Sequence, residues 1–258
     1  MKQFKVFTIL VFAMSAFVIA GCYHTEDDDS SNKYKTCEDI KSETSLFTSL
    51  KLNVTDDRIS NYNYARVQVN YTNCITIGSE RDESGILHYI YDVVDGTEPV
   101  RKSFLVAEAE GKNPTLKFKD VPDEYLINIL KRTDSYGGLY DYDSSDINIS
   151  NENAKVAVGG VYVGGNFSIG TDDGVWNTSG VPVAMRFITK DMVWSNGSLV
   201  YCNTDCDITG KTHLGGIIDI HLKKGWNKIF SITCSGFYSD EKNITIGADN
   251  VEFFMPAG

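Results

Sequence analysis

Few side chains in this sequence stand at spacings that chemistry requires. Four histidines occur: His24, His88, His213 and His221. No Gly-x-Ser-x-Gly turn exposes a nucleophile, because the nearest match, Ser168-Ile169-Gly170, has Asn166 where the leading glycine belongs. Gly210-Lys211-Thr212 has the ending of a phosphate loop. Asp205 stands where that loop needs its first glycine, and Asp205 and Asp207 would repel phosphate. Cys202, Cys206, Cys234 and His213 offer zinc-type atoms, yet their spacing forms no compact ligand set. Tyr136, Tyr140 and Tyr142 lie among Asp134, Asp141, Asp143 and Asp146. Aromatic rings stack on sugars and oxygen clusters hold calcium, but the Asp spacing does not match an EF-hand loop, which wants a glycine at its sixth position. Trp176, in a run rich in Gly, Asp and Asn, and Trp194 are the other aromatic candidates for ligand binding. The sequence therefore reads as a protein without catalytic residues, metal or cofactor. A hydrolase assembled from distant residues is the alternative, since such sites are defined by geometry.

A sixth cysteine has a different setting. Lys2 and Lys5 precede a mostly apolar run from Val6 to Ala20, the pattern of an export signal. A membrane-spanning helix needs about 20 apolar residues, more than this run supplies. The run closes on Ile19-Ala20-Gly21-Cys22, which resembles the lipobox of bacterial lipoproteins. That resemblance implies diacylation of Cys22, cleavage before it, and anchoring by more than one acyl chain, which a membrane retains stably. Tyr23 stands where many inner-membrane lipoproteins carry Asp, so the resemblance implies the outer membrane. Glu26-Asp27-Asp28-Asp29 reads as a tether extended by like-charge repulsion. It also resembles the acidic export tag of Bacteroidota surface lipoproteins. A surface-exposed position is expected, with the periplasmic face as the alternative.

Charge and cysteine count narrow the partners. The chain has 24 basic and 35 acidic residues, a net charge of −11. Such a chain is repelled by phosphate backbones, so no nucleic-acid partner is expected. Outside Cys22, five cysteines remain: Cys37, Cys74, Cys202, Cys206 and Cys234. Export permits disulfides, and the odd number leaves at least one thiol unpaired within the chain. Cys202 and Cys206 would close a small loop, or either would reach Cys234; spacing does not choose.

The elements that must carry these residues are strands. Leu50, Leu52 and Val54 alternate with polar neighbours, as do Ala65, Val67, Val69 and Tyr71 against Arg66, Gln68 and Asn70. Period two buries one face and wets the other. The pattern continues in 86–94, 100–110 and 115–131, the last turning at Val121-Pro122 with Tyr125, Ile127 and Ile129 on one face. This corner resembles that of transthyretin-like or Cna-B-like sandwiches, with Glu124 in place of glycine and Tyr125 one position early. The resemblance implies an Ig-like module. Asn196-Gly197 between apolar runs predicts a two-residue hairpin turn. Ile218, Ile220 and Leu222 point inward, His221 outward, and Trp226 plugs the end of a sandwich. A short helix fits 37–46. The expected organisation is all-β: leader 1–21, tether 22–43, a first β-sandwich over 44–133, a linker over 134–154 and a second β-sandwich over 155–258.

The functional expectation is a cell-envelope lipoprotein with a non-enzymatic binding, structural or adhesion role. Its partners would be the membrane, through the lipid, and a glycan or protein ligand. A component of a glycan-uptake system is a further alternative.

Overall fold

The computed structural model describes residues 36–59, 61–82, 87–93, 100–130, 147–165, 180–212, 214–234, 241–247 and 251–255, with backbone alone for 74–79 and 87–92. Cys22, His24, Tyr136, Tyr140, Tyr142, Trp176 and His213 lie outside them. The structure is all-β. In chain order the strands are β1 (Ser49–Lys51), β2 (Tyr62–Thr72), β3 (Cys74–Arg81), β4 (Leu87–Val93), β5 (Arg101–Glu110), β6 (Thr115–Lys117), β7 (Ile127–Asn128) and β8 (Asn148–Ile149). There follow β9 (Lys155–Gly165), β10 (Val181–Arg186), β11 (Trp194–Cys202), β12 (Cys206–Lys211), β13 (Ile217–Leu222), β14 (Gly225–Thr233), β15 (Glu241–Thr245) and β16 (Glu252–Phe254). One large sheet runs in the order β5-β2-β9-β10-β11-β14-β15-β13-β12-β8. β16 pairs with β10, β7 with β9, and β9 also with β11. Two small two-stranded sheets, β1-β6 and β3-β4, complete it.

The central strands β9, β11 and β14 are covered on both faces, and this explains their long apolar runs. Alternate side chains diverge into two cores. From β11, Leu199 and Tyr201 enter one core while Val200 and Cys202 enter the other. From β14, Trp226, Phe230 and Ile232 face the first and Ile229 the second. From β9, Val161 and Val163 face the first and Val156 the second. The larger core is aromatic. Phe187 meets Phe230 edge-on at 4.9 Å, and Trp226 meets Phe118 at 5.1 Å and Tyr201 at 5.5 Å. The indole Nε1 of Trp226 donates to the Lys119 carbonyl (2.9 Å), so the buried ring keeps its polar atom bonded. The smaller core is aliphatic: Ile129, Ala154, Val156, Ile208, Ile218, Ile220, Leu222 and Ile229, with the Cys202 and Cys206 thiols.

The two halves of the chain do not form separate sandwiches. β2 is hydrogen-bonded to β9 from Tyr62/Gly165 to Val69/Gly159, so a strand of the first half is an interior member of the second half's sheet. Residues 31–258 accordingly form one unit. Asn196-Gly197 makes no hairpin turn either; both residues lie inside β11, opposite Ser231 and Phe230 of β14. Glycine is required there for space. A Cβ on Gly197 would lie 2.5 Å from a Phe230 ring carbon and 2.7 Å from the Met185 methyl. The turn joining β10 to β11 falls earlier, around Thr189, whose carbonyl accepts from Met192 N (3.3 Å). The helix expected over 37–46 shrinks to one 3-10 turn, Cys37–Asp39. The run after Pro122 is no single strand: Asp123–Tyr125 form a 3-10 turn, after which Leu126 enters the larger core and Ile129 the smaller.

Cys37 and Cys234 form a disulfide with a Cα–Cα distance of 6.1 Å, across 197 residues of sequence. Cys202 and Cys206 are free and buried, so neither the small loop nor a bridge from either to Cys234 forms. Cys74 opens β3, where the backbone alone is described.

Candidate functional site

The side of the sheet that bears the smaller core is buried at one end and open at the other. On β9, Val156 enters the smaller core and Val158 packs against it, while Gly160 and Tyr162, on the same face, do not. Register extends this open face across five strands, β5, β2, β9, β10 and β16. Arg66 of β2 lies opposite Glu108 on one side and Tyr162 on the other, and Tyr162 lies opposite Pro182 of β10. Gln68 lies opposite Gly160, Ala184 opposite Phe254 of β16, and Arg186 opposite Glu252.

Small residues let the rings lie low. A Cβ on Gly160 would meet the Tyr162 ring at 3.0 Å, so the phenol rests on the sheet where a side chain is missing. Gly180, at φ +123°, lies beside it, with its Cβ position 3.0 Å from Tyr162 Cβ. Each ring carries an arginine. The Arg66 guanidinium lies over Tyr162 at 5.4 Å and that of Arg186 over Phe254 at 4.5 Å. The polar network around them is partial. Asn70 Nδ2 donates to the Tyr162 hydroxyl (3.2 Å), Gln68 Nε2 to Asn70 Oδ1 (2.7 Å), and the Tyr64 hydroxyl to Glu108 Oε2 (3.0 Å). Arg186 Nε lies 3.5 Å from Glu252 Oε2. The Nε atoms of Arg66 and Arg186 are both shielded from water; among the described residues that of Arg66 makes no hydrogen bond, and that of Arg186 has only this carboxylate beside it. Native proteins rarely leave a buried donor in that condition. The arrangement is two cation–aromatic pairs on a floor of Gly160, Pro182 and Ala184.

A second cluster lies on β12 and β13. His221 Nδ1 is 2.8 Å from Asp207 Oδ1 and its Nε2 is 3.1 Å from Asp219 Oδ1, on a half-exposed face as the alternation predicts. Ser150 Oγ, a hydroxyl beside this network, accepts from Asp207 N (2.8 Å). It belongs to the joint between β8 and β12 and bonds no histidine nitrogen. Lys223 Nζ meets Asp205 Oδ2 at 2.9 Å, which holds the Asp205 carboxyl below its usual range. The His221–Asp207 and Lys223–Asp205 pairs join the two sides of the β12–β13 hairpin, whereas Asp219 shares a strand with His221. Among the described residues no three or more His, Cys, Asp or Glu gather as a metal site. With Cys234 in the disulfide, the zinc set considered from sequence does not assemble.

The free thiols are no nucleophiles. Burial pushes the Cys202 thiol up to about 11 and raises that of Cys206, so both remain protonated at neutral pH. Of the sequence's aromatic candidates, Trp194 is described. It begins β11 and is 45% exposed, beside Val193 at 63% and near Ile188 at 52%. Trp226 is 3% exposed, a packing residue as expected.

The sequence reading placed Arg66, Gln68 and Asn70 on a wet strand face but passed over Tyr162 and Phe254. The signal was present in Gly159-Gly160-Val161-Tyr162-Val163-Gly164-Gly165, one tyrosine between glycine pairs, where a ring can lie against the backbone. No protein-family description, curated protein or solved structure matches the chain.

Proposed function

We propose that this chain is an exported, lipid-anchored envelope protein that binds an oligosaccharide without transforming it, at the face built by Arg66, Gln68, Asn70, Tyr162, Arg186 and Phe254. The two cation–aromatic pairs, Arg66 over Tyr162 and Arg186 over Phe254, carry the reading. A glycan matches such a face: its hydroxyl and ring oxygens accept hydrogen bonds from guanidinium and amide groups, and its apolar ring faces rest on Tyr162 and Phe254. Strand spacing puts the Cα atoms of Arg66 and Arg186 about 16 Å apart, a span for several linked sugar rings. The lipobox-like leader and the Cys37–Cys234 disulfide support the exported, anchored part of the proposal.

Binding of the full-length protein to a panel of neutral and uronate-containing oligosaccharides tests the face. Arg66→Ala and Tyr162→Ala are each expected to weaken the best ligand by tenfold or more, about 1.4 kcal/mol. Ile217→Ala, an exposed position on β13 and distant from the arginine pairs, is expected to leave it unchanged. Retention of full affinity by both face variants, or absence of any binding by a folded wild type, overturns the assignment. The anchor is tested separately by the mass of the native N-terminal peptide: an intact leader or a bare Cys22 thiol removes it.

A further inference from the structure

The exposed apolar residues Ile188, Val193 and Trp194 belong to one short segment, the connection from β10 to β11. Met185 lies opposite Gly197, and Phe187 N donates to Ser195 Oγ (3.4 Å). Extending that register brings Ile188 across from Trp194. Three apolar side chains thus crowd one loop tip, with exposed Lys190 among them.

The chain enters the folded body at this same tip. Cys37 N donates to Asp191 Oδ1 (2.7 Å), and Thr189 Oγ1 to the same oxygen (3.3 Å). The Cys37 sulfur is bonded to Cys234, one residue beyond Thr233, which pairs with Trp194 and accepts from Val193 N (2.9 Å). The described chain therefore begins beside Val193 and Trp194. Fifteen residues of sequence separate Cys22 from Cys37, a length that reaches at most about 50 Å.

We propose that the β10–β11 tip is a membrane-contact element: Trp194, Val193 and Ile188 sit in the headgroup region of the bilayer that holds the Cys22 lipid, with the Lys190 stem reaching to headgroup phosphate. The inference rests on the lipid-anchor reading given above. Its chemistry is that of interfacial anchors, in which a tryptophan and short aliphatic side chains enter the boundary while a lysine keeps its charge in water. The tether makes the encounter intramolecular, so a weak apolar contact suffices. Exposure of three neighbouring apolar side chains costs solubility unless something covers them. The bilayer is the surface that the tether brings to that point. Such contact also fixes the body's orientation, with the arginine–aromatic face rising from the tip along β10.

The test uses the acylated full-length protein in phosphatidylcholine–phosphatidylglycerol vesicles containing brominated lipid. Trp194 is one of three tryptophans, so quenching of about a third of the emission is expected, falling by severalfold in Trp194→Phe. Val193→Asp is expected to reduce quenching of the remaining Trp194 by at least about half, because a carboxylate resists the headgroup boundary. Equal quenching of wild type and both variants, with all three still vesicle-bound, overturns the contact. A native Cys22 without acyl groups overturns the anchor, and the contact with it. That second result is read by mass, independently of fluorescence.

Discussion

The two cores on either side of β9, β11 and β14 are built by different means. The larger gathers residues from Cys37 to Phe253, many of them aromatic, and is closed by a disulfide across 197 residues. The smaller draws on Ile129 to Ile229, contains no aromatic ring among the described residues, and is supplied largely by the successive strands β11 to β14. Long loops must close before the larger core forms, whereas the smaller needs mostly neighbouring strands. The long-range core is reinforced where closure is most costly, by large rings and a covalent link. The local core keeps two free thiols and needs no staple.

Removing the Trp226 ring strikes this distinction hardest. Trp226→Ala is expected to cost about 3–5 kcal/mol, through the cavity it leaves and the loss of the donor to the Lys119 carbonyl. Urea unfolding measures the cost. Amide exchange should quicken first in β2 and β5 and later in β12 and β13; equal acceleration would merge the two cores into one. Cys37→Ser comes next, at about 2–4 kcal/mol. Its thermal midpoint should drop while exchange in β12 and β13 stays slow, and an unchanged midpoint would mean that the bond merely decorates an already closed core.

Gly197→Ala probes a single contact on the aromatic side. Its methyl overlaps Phe230 and Met185, so about 1–3 kcal/mol is expected. The exposed neighbour Asn196→Ala should fall within about 0.5 kcal/mol, which chemical denaturation resolves. The smallest effect at neutral pH belongs to the aliphatic side. In the unfolded chain the Cys202 thiol ionises at its ordinary pKa of 9.0, but in the fold burial holds its proton to about 11. Stability from this group is therefore complete below the unfolded value and declines as pH rises through that window. Urea midpoints measured from pH 8 to 10.5 should fall for the wild type and fall less steeply for Cys202→Ala; identical slopes would remove the thiol from the account.

Period-two alternation made much of the strand content readable. Ala65, Val67 and Val69, and likewise Ile218, Ile220 and Leu222, are buried where alternation puts them, and His221 is outward. Alternation says which face is dry but not which of two cores it meets, and so the pairing of β2 with β9 left no trace. The Asn196-Gly197 signal failed for a steric reason: the glycine makes room for Phe230, a residue over thirty positions away. Tyr125 and Ile129, expected on one face, meet different cores because Tyr125 lies in a 3-10 turn after Pro122 and not in a strand. The candidate face was half legible. Its arginine and amides stood in a recognisable strand, but the partners Phe254 and Arg186 come from strands that only the folded sheet places side by side.

Cys37 has a mechanical consequence. Any pull delivered through the residues before it meets a covalent bond at once. The load passes to Cys234 and on into β14, which is held along nine positions by β11. The early segment that follows Cys37, with its single bridges Phe47 to Trp226 and Val54 to Phe253, is thereby spared. A body hung by its first residues would ordinarily peel from that end; here the force bypasses the weak seam and is borne by the middle of the sheet.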